Sequence, residues 1–134
     1  MINSKIIKLA SNTKYEGLKK SFTHKSSMKN STCGDLIKIE VIANKNKIKS
    51  MRYETEACIL CEASASLLAR KIRNSYLDDL KKNIQSLKKF KNNKKADIPI
   101  KFKEFKYLLN KKTLNRVNCV ILPMEAILKA FKMS

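Results

Sequence analysis

Two cysteines three positions apart, Cys58 and Cys61 in "ACILCEASASLLARK", stand where an alternating, β-branched stretch gives way to small residues and a helical pattern. That spacing serves a disulfide, a zinc clip, a redox pair or a cradle for a metal cluster, and the pair alone does not choose among them. The other two cysteines are Cys33, in "CGD", and Cys119, in "NRVNCVILP". In extended chain a spacing of two puts Cys33 and Asp35 on one side, and Gly34, one of only two glycines, lets the backbone bend around a bound ion. Thiolate sulfur suits zinc or iron–sulfur units, whereas a carboxylate oxygen holds them more weakly and exchanges more readily. Such a mixed set suits temporary holding.

These residues need elements to bring them together. Residues 3–10 read as a short amphipathic helix with Ile6, Ile7 and Leu9 on its apolar side, and residues 11–32 as a polar, mobile arm broken at Gly17. From Cys33 the chain alternates: Ile37, Ile39 and Val41 face one way, Lys38 and Glu40 the other, and a turn over 44–47 precedes Met51 and Tyr53. The period changes at Cys58, where Leu60, Ala63, Leu67, Leu68 and Ile72 mark one side of a helix. Ser75 and Asp78 resemble a capping box ahead of Leu77, Leu80, Ile84 and Leu87, a helix ending near Phe90. The stretch "KNNKKADIPIK" reads as a linker, Phe102, Phe105 and Leu109 as a further helix, and Pro123 as the first turn of a last one carrying Met124, Ile127, Leu128 and Phe131. Strands first and helices after give an α+β fold, a small antiparallel sheet of about three strands with helices on one face. The whole chain, 1–134, reads as one domain, with residues 1–30 as N-terminal helix and arm and 31–134 as the core. The cysteines then lie at element boundaries, and a helix N-terminus favours the thiolate form that binds metal or attacks sulfur.

With these strings in order, the chain resembles the IscU/SufU/NifU family of iron–sulfur cluster assembly scaffolds. "NSTCGDLIKIEV" is similar to that family's N-P-x-C-G-D opening, "ACILCEASASLL" to its G-C-x-x-x-x-A-S-A-S segment, and "RVNCVILPMEAILKAF" to its third-cysteine helix, a match across about residues 5–132. Ser31 stands for the usual Pro, Ala57 for the usual Gly, and Asn118 for the His of Isc-type members; the Gly-rich interval of longer Suf-type members is absent, so the branch stays open. The resemblance implies a scaffold on which a [2Fe–2S] cluster is built from iron and from sulfur supplied by a cysteine desulfurase, then passed to apo-proteins. It implies Cys33, Asp35, Cys58 and Cys119 as the ligand set, with Cys61 a spare ligand, a sulfur acceptor or a small buried hydrophobe. Zinc held by the same ligands while a cysteine accepts persulfide sulfur, as in Suf-type relatives, is the alternative.

Two other classes fit less well. A thiol oxidoreductase built on Cys58 and Cys61 lacks the βαβ order and the proline-containing turn of thioredoxin-like sites. A zinc-stabilised nucleic-acid binder calls for paired ligand spacings, and only one CxxC unit exists. The net charge of +19 points toward phosphates at first sight, yet almost all of it is Lys, in a chain also rich in Ile and Asn, and the four arginines (52, 70, 73 and 116) are scattered. A/T-rich codons explain that trio, so the charge reads as a solvated surface. His24, the one histidine, is expected to be exposed and idle. "MINSKIIKLASN" lacks a secretory pattern and no run approaches membrane-spanning length, so a cytoplasmic protein is expected; a homodimer stays open.

Overall fold

The computed structural model describes residues 3–31, 34–92 and 97–132. Along the chain it forms α1 (Ser4–Ser11), β1 (His24–Lys29), β2 (Leu36–Asn44), β3 (Lys47–Glu56), α2 (Ile59–Lys71), α3 (Leu77–Lys88) and α4 (Val117–Ala130), with 3₁₀ turns between α3 and α4. The strands make an antiparallel sheet in the order β1-β2-β3. Ile37, Ile39, Val41, Met51 and Tyr53 are buried on one face, as the alternation requires. Against that face pack α2 and α4, with α1 resting on α2. In α2 the run Ala63–Ser66 is wholly buried, and small side chains there let α2 and α4 approach closely. Ser64 donates to the Val120 carbonyl at 2.6 Å, so its hydroxyl is satisfied inside the core.

The polar arm contains the third strand. His24–Lys29 pairs with Leu36–Val41, a ladder that polar composition concealed because only Met28 among its residues carries a large apolar side chain. Strand pairing and a 2.5 Å hydrogen bond from Ser26 to the Ala126 carbonyl hold it in place of an apolar face. The preceding segment is fastened too. Residues 15–17 lie along the free edge of β3, with the Gly17 amide on the Tyr53 carbonyl at 2.7 Å, and Arg52 donates to the carbonyls of Glu16 and Gly17. Glu40 accepts the Lys19 and Lys20 amides at 2.8 and 3.0 Å, so a carboxylate on the outer face is only 6% exposed. His24 also departs from expectation: its ring packs 4.3 Å from that of Phe131 and its Nδ1 shares a hydrogen bond with Thr23. Ile7, assigned to the apolar side of α1, is half exposed.

Further along, the Ser75–Asp78 capping box does not form. Tyr76 is the N-cap of α3, because residues 74 and 75 exchange backbone bonds with Ile48 and the Ser75 hydroxyl is taken by Lys101. In place of a helix, Phe102 and Phe105 sit on 3₁₀ turns over Ile100–Tyr107, broken at Phe102; with Leu108 they bury every third residue, the 3₁₀ period. Finally, α4 begins at Val117, so Pro123 lies in its interior. A proline there removes a helical hydrogen bond and costs about 3 kcal/mol. Burial of Val120, Ile121, Met124 and Ile127 contributes about 1.5–3 kcal/mol apiece and outweighs it.

Candidate metal centre

Three elements begin at one place. Asp35 immediately precedes β2, Cys58 is the N-cap of α2, and Cys119 stands in the first turn of α4. One ligand atom from each, a carboxylate oxygen and two Sγ, all lie within 4.8 Å of one another. Two donors about 2.3 Å from one tetrahedral metal sit about 3.8 Å apart, so this trio is nearly at bonding separation. Asp35 and Cys119 are buried while Cys58 is partly exposed, which leaves the group reachable from solvent through one residue.

The local sequence explains the convergence. Cys58 has no side-chain cap of its own, and the Asp35 carboxylate, just before β2, supplies one: Oδ1 accepts the Cys58 amide at 3.1 Å, and Oδ2 accepts the Cys58 thiol at 3.6 Å. The turn before β2 is closed by the Gly34 amide on the Asn30 carbonyl and the Asn30 amide on the Asp35 carbonyl, each at 2.7 Å. Gly34 has φ +74°, the left-handed backbone that glycine adopts without strain. Cys33 lies outside the described residues, in sequence between Asn30 and Gly34.

A cleft of about 270 Å³ opens over the trio, lined also by Asn30, Asn115, Arg116 and Asn118. Two helix N-termini and the Arg116 guanidinium offset the Asp35 carboxylate in this cleft. Asn30, Asn115 and Arg116 escaped the sequence reading, since single polar residues carry no spacing signal; Arg116, three positions before Cys119, was visible only as a scattered charge. Cys61, one turn into α2, is fully buried in the core and outside the three-residue group.

Comparison with known proteins fits this geometry. A family model described as the NifU-like N terminal domain matches residues 1–133. A curated relative from Thermotoga maritima, named iron-sulfur cluster assembly scaffold protein IscU, is 26% identical over 133 residues, 98% of this chain and 93% of its own. Among solved structures, the N-terminal part of a nitrogen-fixing NifU-like protein from Brucella abortus superposes with a TM-score of 0.85 at 20% identity, covering 97% of this chain and 91% of that one. The SufU of Fervidobacterium islandicum AW-1, titled as a scaffold for the SUF system, gives 0.84 at 18% identity over 98% and 96%. At such identities these two structures speak for the fold alone. The family match spans nearly the whole sequence and its cysteine-bearing segments meet at one cleft, so the chain belongs to the NifU-like N-terminal domain family.

Proposed function

We propose that this protein is an iron–sulfur cluster assembly scaffold, which receives iron and sulfur, holds them as a [2Fe–2S] cluster on Cys33, Asp35, Cys58 and Cys119, and passes the cluster to apo-proteins. The observation that carries this reading is the convergence of Asp35, Cys58 and Cys119 within 4.8 Å beneath an open cleft. Cargo and partners must reach the site, and the cleft with its partly exposed Cys58 provides the approach. Sulfur comes from a cysteine desulfurase in this reading. The thiolates of Cys33, Cys58 and Cys119 grip the cargo in this reading, and Asp35 offers the weaker, exchangeable oxygen. Its carboxylate is already oriented toward Cys58 by the Cys58 amide. The role is that of a carrier.

One observation favours a second reading. The three ligand atoms are close enough for a single tetrahedral ion, as in a zinc-bearing sulfur acceptor of the SufU kind. There a cysteine thiolate attacks the sulfane sulfur of the donor persulfide, a new S–S bond forms, and the donor cysteine leaves as thiolate. Anaerobic reconstitution with iron, cysteine and a desulfurase, followed by visible absorption and metal analysis, separates the two. Cluster absorption with about two irons per chain supports the scaffold. Stoichiometric zinc that survives the same treatment without cluster absorption supports the sulfur acceptor.

A further inference from the structure

At the opposite end of α2, about 18 Å along its axis from Cys58, lies a second cleft that the cluster chemistry does not use. It measures about 220 Å³ and is lined by Lys5 and Lys8 of α1, Arg70 of α2, and Glu104 and Tyr107 of the 3₁₀ turn. Three cations therefore face it. Its one carboxylate, Glu104, is engaged by Lys71 at 2.8 Å, and that contact holds the Glu104 carboxyl below its usual range. Among the described residues no carboxylate forms an ion pair with Lys5, Lys8 or Arg70, although the Arg70 charge also helps to hold Glu104 down.

Arg70 is the partly buried cation among these lining residues. Its Nε reaches the Ser66 carbonyl at a long 3.4 Å, while its Nη2 is fully buried and has no hydrogen-bond partner. A buried cationic donor without an acceptor is unfavourable, and Nη2 has lost water without gaining a partner, while the residue as a whole stays partly exposed. Lys5 and Lys8, three apart on α1, add two flexible ammonium groups at the rim. A guanidinium and two ammonium groups lining one cleft form a donor set suited to a phosphate-like oxyanion.

We propose that the cleft between α1, the C-terminal half of α2 and the 100–107 turn binds a small, doubly charged oxyanion of the phosphate class free in solution, with Arg70 as its anchor and Lys5 and Lys8 as its clamp. The test is an NMR titration of the ¹⁵N-labelled full chain with sodium phosphate, against sodium chloride and sodium acetate at matched ionic strength. Phosphate is expected to give saturating shifts of the Arg70 Nε–H and of the amides of residues 5–12, which chloride and acetate do not reproduce. Removing the charge-assisted donors in Arg70→Gln should weaken phosphate about tenfold or more, and Lys5→Gln with Lys8→Gln about threefold or more. Both lysines are exposed, so the double variant keeps the test valid should Arg70→Gln fail to fold. Shifts that grow without saturating, that centre on Cys58 and Cys119, that acetate matches, or that survive the double variant unchanged would overturn the assignment.

Discussion

Asp35 does two jobs with two oxygens, one on the Cys58 amide and one toward the Cys58 sulfur. A carboxylate ligand leaves a corner open to exchange, whereas a thiolate closes it. Asp35→Cys should therefore still accept a cluster but release it to apo-ferredoxin more slowly, about tenfold or more given the stronger fourth ligand, as followed by the acceptor's circular dichroism. Equal rates at equal loading would reduce Asp35 to a helix cap. Cys61 offers the contrast, because it is fully buried and outside the ligand group. Cys61→Ser should keep cluster loading within about twofold yet lower unfolding stability by about 1–3 kcal/mol, since the new hydroxyl enters an apolar core. Cys119→Ser should abolish loading. Loading lost in Cys61→Ser but kept in Cys119→Ser would return the CxxC pair to the centre of the chemistry. Cys58 and Cys119 stand out in the sequence as thiols at element boundaries and Asp35 by its spacing from Cys33, but that they form one set is what the family resemblance implies; the fold brings Asp35, Cys58 and Cys119 within 4.8 Å. Arg116 and Asn30 do not stand out, since a lone polar residue reveals its neighbours only after folding.

At the scale of elements, periodicity found what burial produces and missed what hydrogen bonding produces. The β2–β3 hairpin and α3 bury regular apolar rows, and α2, buried on nearly every side from Leu60 to Ala69, is still readable from its Leu and Ala positions. β1 was hidden in a polar segment, since it is held by its ladder to β2 and by Ser26 on α4. Likewise the packing that keeps Pro123 inside α4 is tertiary, and a local reading moves the helix start to the proline. The fastening of residues 15–20 over the sheet gives the sharpest check. Glu40→Ala removes the acceptor for two amides and should destabilise the protein by about 1–3 kcal/mol. Hydrogen exchange should then speed at Lys19 and Lys20 by about tenfold or more while β2–β3 amides keep their protection. Unchanged exchange at those two amides would mean that Arg52 alone secures the segment.

For the whole molecule, a net charge of +19 meets few counter-charges. Among the described residues only Lys71, Lys88 and Lys91 form side-chain ion pairs, with Glu104 and Glu125. Like charges spread over one small surface repel and favour expansion, and salt screens that repulsion with a Debye length of about 10 Å at 0.1 M. Tm should accordingly rise by several degrees, on the order of 1 kcal/mol, between about 10 and 200 mM sodium chloride. A falling Tm would mean that attractive pairs dominate after all. No helix among the described residues is long and apolar enough to cross a membrane.

The meeting of three element starts at Asp35, Cys58 and Cys119 also makes the cargo a cross-link. Anything that bridges these residues closes a loop of 23 residues between Asp35 and Cys58, and a longer one on to Cys119. By analogy with a disulfide, a loop of that size is worth roughly 3 kcal/mol of restricted unfolded-state freedom. A loaded chain should thus melt well above an empty one, by about 10 °C or more if the bridge survives heating, and calorimetry of both forms reads this directly. On the scaffold reading, release then has a mechanical side: a chain that gives up whatever bridges these residues also surrenders the clasp joining its sheet to its two central helices, and is left in a looser form.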